Sequence, residues 1–206
     1  MGQQDQRARH AHIFAKERHG HYPEPLWCSQ RLFDVEDFGP EGSLILDPAC
    51  GWGNILNAAR AKHFRIAGFD IVDRYKLNTG RFYKHDFLNG AKLPTTSHVM
   101  SICCNPPFDH VQAFCERACN IAQYKVAMIM LLRRIPAAHW LDQLPLETIY
   151  MLTPRPSMPP GEWIEAGNKP GGGTQDFVWL LFNCEQKPRR YPRVRWLHRD
   201  ESRETV

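Results

Sequence analysis

The sequence predicts an α/β fold: a mostly parallel sheet of seven strands with helices on both faces. Three observations predict it. Short apolar runs alternate with helical patterns along the chain, and parallel strands need such crossovers. Polar side chains close four of those runs: Asp47, Asp70, Asp86 and Asn105. Gly51 and Gly53 follow the first run at once and lead into a helix, as in sheets that bind ligands outside the carboxyl ends of their strands.

The elements follow in order. Residues 1–21 form a basic arm, with His10, His12, His19 and His21 beside Arg7, Arg9, Lys16 and Arg18. Residues 22–25 are an extended turn, and 26–38 have helical spacing. After the turn at 39–42, residues 43–46 make a short buried strand ending at Asp47, and 51–63 turn into a helix. Strands are expected at 65–69, 81–86, 98–104 and 125–132, with a helix at 109–124 between the last two. Val111, Phe114, Ala118 and Ile121 share one face of that helix. A short helix at 137–144 precedes strands at 147–152 and 177–182. The loop between those strands, 153–175, is rich in proline and glycine, and a loop this long in a compact domain is usually functional or disordered. No internal repeat is visible. The expected organisation is therefore an arm at 1–21, one domain at 22–186 and a basic tail at 187–206.

Bulk properties exclude several classes. With 206 residues, 43% apolar and 23% charged, the chain has the balance of one globular domain. Its longest clear apolar run, 126–132, is far short of the roughly 18 residues of a membrane span. No membrane partner is expected. The polar start shows no signal-peptide pattern, and the 7 cysteines lack paired-motif spacing. Reduced thiols in a cytoplasmic protein are the expectation, with no metal site. Cys115 and Cys119 lie one helical turn apart and read as a packed face. The net charge of +4 is modest but unevenly spread. Lys187, Arg189, Arg190, Arg193, Arg195 and Arg199 include no acid among them, and Tyr191, Trp196 and His198 are interleaved, a pattern that suits nucleic acid.

Asn105-Pro106-Pro107-Phe108 carries the most chemistry. Two prolines have no N–H and force the chain out of the preceding strand in a kinked shape. The Asn105 amide oxygen and the Pro106 carbonyl can each accept a hydrogen bond from a planar group bearing NH2, and Phe108 can stack on its ring. Asp47 can meet a cation or an amide proton. Asp70 stands where doubly wound folds bind ribose hydroxyls, and Asp86 with Phe87 can hold an adenine. A dinucleotide site would carry a third glycine three residues after Gly53, where Leu56 stands. No phosphate-binding loop is present either. A cofactor with adenosine and a cationic centre but no pyrophosphate fits, and S-adenosyl-L-methionine is that molecule.

Asp47-Pro48-Ala49-Cys50-Gly51-x-Gly53 followed by Asn105-Pro106-Pro107-Phe108 resembles the class I S-adenosylmethionine-dependent amino-methyltransferases, above all small phage-type DNA adenine-N6 enzymes. Weaker echoes are Tyr22-Pro-Glu-Pro-Leu-Trp27, Arg155-Pro-Ser and Asp176-Phe-Val-Trp179. The resemblance covers about 22–182 and implies a Rossmann-like sheet whose last hairpin is antiparallel. It implies that Tyr22, Pro25 and Trp27 line the methionine end of the cofactor. Asp47, Pro48, Cys50, Gly51 and Gly53 would wrap methionine and ribose. Asp70 would take the ribose hydroxyls, Ile71 would lie against adenine, and Asp86 and Phe87 would hold it. Asn105, Pro106, Pro107 and Phe108 would hold the target, with Asn105 also touching the cofactor. S-adenosyl-L-homocysteine would be the product. The chain lacks a separate target-recognition domain, so Arg133, Arg134, the 153–175 loop and the basic residues Lys187, Arg189, Arg190, Arg193 and Arg195 are the candidate polymer contacts. The expected partner is nucleic acid, DNA ahead of RNA, met by a monomer. RNA adenine-N6 and protein glutamine-N5 methylation are the alternative reactions. A catalytically silent cofactor-binding module is the alternative of another class.

Overall fold

Alternation along the apolar strands divides the core into two layers. In a computed structural model, which describes residues 21–89, 93–94, 98–188 and 191–200, these strands build one sheet. They are β1 (Leu44–Asp47), β2 (Arg65–Asp70), β3 (Arg81–Lys84), β4 (Ser101–Cys104), β5 (Lys125–Leu131), β6 (Leu146–Thr153), β7 (Phe177–Asn183) and β8 (Arg193–His198). Their order is β3-β2-β1-β4-β5-β7-β6-β8. Only β7 runs against its neighbours, pairing antiparallel with β5 and β6; every other pairing is parallel.

The side chains of each strand go alternately to the two layers. Val126, Met128 and Met130 of β5, with Val178, Leu180 and Phe182 of β7, pack on helix α3 (Val111–Ile121) through Val111, Phe114, Cys115 and Ala118. Ala127, Ile129, Trp179 and Leu181 face the other way, onto α1 (Leu26–Val35) and α2 (Asn54–Ala61). The buried Trp179 indole donates to the carbonyl of Cys28 at 3.1 Å, tying α1 to the middle of the sheet. Both faces of the sheet are therefore covered, which is why its central strands carry almost no polar residues.

Several expectations are corrected. The strand count is eight, because residues 193–198, expected within a tail, form β8 beside β6. Leu197 is buried on the α1 side, and Arg31 of α1 donates to the carbonyl of His198 at 3.0 Å. The charges that made this segment read as a tail alternate with Val194, Trp196 and His198, which is the period of an edge strand. Helix α1 stops at Val35 rather than 38. The Asp37 carboxylate accepts the Gly39 N–H at 2.8 Å, and that turn swings Phe38 into the core. The helix expected at 137–144 is instead a 3-10 segment, His139–Gln143, after another, Leu132–Ala137, the two being separated by Ala138 with φ −89° and ψ 57°. The strand expected from 98 begins at Ser101, because the carbonyls of Val99 and Met100 bond to Gln123 and Tyr124. A short helix, α4 (Gly161–Glu165), lies within the 153–175 loop. Apart from His21, the arm at 1–21 lies outside the described residues, as do Arg189 and Arg190 of the basic segment.

Candidate functional site

The carboxyl ends of β2, β1 and β4 lie side by side, and the strand order reverses between β1 and β4. Ligands of open α/β sheets bind at such a reversal. The chain places Asp70, Asp47 and Asn105 at these three ends. Tyr22, Glu24, Asp47, Pro48, Cys50, Gly51, Asp70, Ile71, Asp86, Phe87, Asn105 and Pro107 line one cavity there. Of these, Glu24 is not an expected site residue, and His21, Trp52, Asn54, Arg74, His85 and His110 also line the cavity without having been expected there.

The loop after β1 is shaped by its glycines. Gly51 has φ +47° and Gly53 φ +91°, in the left-handed region where a side chain is strained. The Gly51 N–H donates to Asp70 Oδ2 at 2.9 Å, and the Val72 N–H donates to Asp70 Oδ1 at 3.0 Å. Asp70 thus anchors the loop through one lone pair on each oxygen, and a carboxylate has more lone pairs to offer. Arg74 lies 3.9 Å from Asp70. Asp47 is buried, accepts the Ala49 N–H at 3.1 Å, and is held well above the ordinary carboxylate range by burial and then by Glu24. Burial raises Glu24 to about 7. A cavity walled by Glu24, Asp47 and Asp70 favours a cationic ligand, whose charge would relieve both burial and mutual repulsion.

Asn105 is set by a strap at residues 21–24. Its Nδ2 donates to the Tyr22 carbonyl at 2.8 Å and to Glu24 Oε2 at 3.0 Å. Its Oδ1 is shielded from solvent and has no hydrogen-bond partner among the described residues. A carbonyl can only accept, so the amide nitrogen must face Tyr22 and the oxygen must be the orphan. The strap is itself tied down: Asn54 Nδ2 donates to the Glu24 carbonyl at 2.8 Å, and the Gly161 N–H donates to the His21 carbonyl at 3.0 Å. The Tyr22 and Phe108 rings stack 5.8 Å apart beside Asn105, with Phe177 5.9 Å beyond. Pro106 is buried behind them.

The remaining expected residues divide. Pro25 and Trp27 line a neighbouring cleft with Arg155, Arg199 and Gly171–Gly173, which shares Pro23, Glu24, Trp52 and Asn54 with the first. Phe87 reaches the cavity wall but is 1% exposed, packed on Phe114 at 5.2 Å, so it belongs to the core as much as to the site. Arg133 and Arg134 follow β5 at the site end; Arg134 donates to the Phe108 carbonyl and Arg133 to Gln175. Arg193 sits near the start of β8, at the opposite end of the sheet, 2.9 Å from Glu147. Lys187 lies at that end too, after β7, and Arg195 is exposed midway along the edge strand. These three are not brought to the cavity.

The sequence reasoning missed Glu24, His21, His85 and Arg74, all of which line the cavity. The one available signal for Glu24 was an acid bracketed by Pro23 and Pro25, a stiff segment next to the first helix. Burial of the His21 ring lowers it to about 4, so it is neutral at neutral pH.

No protein-family model and no curated protein matches the chain. Solved structures do. A type I restriction-modification methyltransferase subunit from Streptococcus thermophilus aligns at TM-score 0.55 and 12% identity, over 89% of this chain and 48% of that one. A candidate RNA methyltransferase from Pyrococcus horikoshii aligns at 0.54 and 16%, over 77% and 81%. A magnesium protoporphyrin IX methyltransferase from Synechocystis, solved with bound S-adenosylmethionine, aligns at 0.51 and 14%, over 76% and 77%. At such identities the likeness shows the fold alone, a Rossmann-like α/β sheet. The chain spans about half the length of the restriction-modification subunit.

Proposed function

We propose that this chain is an S-adenosyl-L-methionine-dependent methyltransferase acting on the exocyclic N6 amine of adenine in DNA. The observation that carries the reading is the buried, orphaned Oδ1 of Asn105, held as an acceptor beside an acidic cavity at the sheet's switch point. A buried acceptor without a partner costs about 1–3 kcal/mol, which an incoming N–H would recover.

The residues present fit the cofactor. Glu24 and Asp47 supply negative charge for a sulfonium, Asp70 keeps lone pairs for ribose hydroxyls, and Gly51 lets backbone approach closely. When bound, the cofactor supplies an activated methyl group. The chain's own task is then to position the nucleophile. Adenine N6 is a poor one, because its lone pair is delocalised into the ring. Asn105 Oδ1 and the Pro106 carbonyl would accept its two hydrogens and draw the nitrogen toward tetrahedral geometry. Alignment of this kind supplies roughly 7–11 kcal/mol. Phe108 offers a face for the base, worth about 1–3 kcal/mol against the cost of flipping it out of a duplex. Tyr22 now occupies that face, so entry of a base requires the two rings to part. Arg133, whose partner Gln175 is uncharged, brings positive charge to the site end, which supports a nucleic acid over a protein substrate, whereas Arg134 is 3.6 Å from the Asp109 carboxylate.

The test offers methyl-labelled S-adenosylmethionine with duplex DNA, single-stranded DNA, RNA and protein extract, followed by digestion to the labelled unit. N6-methyladenine from DNA is expected. Label confined to RNA or to protein glutamine would replace the substrate, and no label in any arm would leave the silent cofactor-binding module.

A further inference from the structure

A primary amide is ambivalent: it presents an acceptor or a donor according to which way it is turned. We propose that Glu24, with the Tyr22 carbonyl, is the positioning and specificity-determining element that turns Asn105 permanently into an acceptor. This rests on the methyltransferase reading of the site, but the lock itself is independent of it.

Three observations support the lock. Both Nδ2 hydrogens of Asn105 are taken, at 2.8 Å by Tyr22 and at 3.0 Å by Glu24. The Tyr22 carbonyl can only accept, so a flipped amide would set oxygen against oxygen there and lose that bond, and it would lose the Glu24 bond as well wherever that carboxyl is ionised. Glu24 is 6% exposed, and no ion pair to a cation offsets its burial among the described residues. Burying a carboxylate this way is expensive, and Asn105 is the side chain it bonds. The strap that carries both acceptors is fastened to α2 through Asn54 and to α4 through Gly161, so the acceptors are fixed with respect to the strand end.

The consequence is selection by hydrogen-bond polarity. A locked acceptor favours a nucleophile that brings N–H groups, such as an exocyclic amine or a carboxamide. It penalises one that presents only lone pairs at that point, such as a ring nitrogen or a carboxylate. With the lock removed, Asn105 can turn and offer its NH2, and the preference weakens.

The test compares wild type with Glu24→Ala and Glu24→Gln, using side-chain amide NMR of Asn105 and methyl-transfer kinetics. In wild type, both Asn105 amide protons should be slow to exchange with solvent. Glu24→Ala should speed that exchange and lower kcat about 100-fold, the scale of loss for a mispositioned group, with KM for the polymer little changed. Glu24→Gln, whose side-chain oxygen can still accept, should recover most of both. Rapid exchange in wild type overturns the lock even if the alanine variant fails to fold. Unchanged kcat in a folded Glu24→Ala protein overturns the specificity role. A protected amide in a wild-type protein that methylates nothing would instead sink the functional reading and leave the lock standing.

Discussion

Asn105 owes its chemistry to residues about eighty positions away. The motif around it was legible in the sequence, because two prolines after an apolar run leave few conformations. The orientation of its amide was not, since that depends on Tyr22 and Glu24 arriving from the far side of α1 and on how deeply Glu24 is buried. Asn105→Ala should abolish methyl transfer while leaving cofactor affinity within a few-fold, measured by equilibrium binding alongside the activity assay. Glu24 also carries a pH signature. Its carboxyl is raised from 4.5 to about 7, so between those values the folded protein keeps a proton that the unfolded chain releases. Its contribution to stability is complete below 4.5 and is lost as pH rises through 7, on the order of 3 kcal/mol. His21, lowered from 6.5 to about 4, acts in the opposite sense, destabilising the fold as pH falls through that window. Denaturant unfolding of wild type and Glu24→Gln across pH 4.5–8 separates them, because the His21 effect cancels in the difference. A pH-independent difference would contradict the buried-carboxylate account.

At the scale of elements, the parallel strands from β1 to β5 follow from apolar runs closed by polar residues, and α2 and α3 follow from their periodicity. Elements decided by competition between signals were harder. In 193–198 charge outweighed the strand period; at 137–144 an apolar pattern read as one α-helix is met by a 3-10 segment only five residues long. Far contacts set the rest. The end of α1 is fastened to the sheet by Lys125, 6% exposed at the start of β5, which meets Glu36 at 2.6 Å and Glu147 at 4.0 Å. Tyr150 also donates to Glu36. Nothing in the sequence marks Lys125 as buried, because its partners are scattered along the chain. Lys125→Ala should destabilise the fold by about 3–5 kcal/mol, since it leaves the Glu36 carboxylate largely out of water without its cation, whereas Glu147 keeps Arg193. Chemical denaturation measures this. Cofactor affinity should be preserved at a temperature where the variant is folded, because the network lies at the amino end of β5, opposite the site.

For the whole molecule, the position of charge matters more than its total. The +4 excess and the run from 187 to 199 pointed to a polyanion, and a tail was the natural place to put it. With 193–198 in the sheet, that charge lies on an edge, and removing the segment would strip a strand from β6 and uncover Leu152, which pairs with Leu197. Single neutralisations therefore test the interface more cleanly than truncation. Arg133 stands at the carboxyl end of β5, next to the Phe108 and Arg134 contact, and its partner Gln175 is uncharged. Arg193 is ion-paired with Glu147 at the opposite end. If duplex DNA lies across the carboxyl ends of the strands, Arg133→Gln should reduce the slope of log affinity against log salt by about 0.9, one phosphate contact. Arg193→Gln should leave that slope unchanged. Equal losses from both variants would mean that the polymer also runs along the β8 edge, about 19 Å from β4 at the usual spacing of strands, and that the interface is broader than the site end alone.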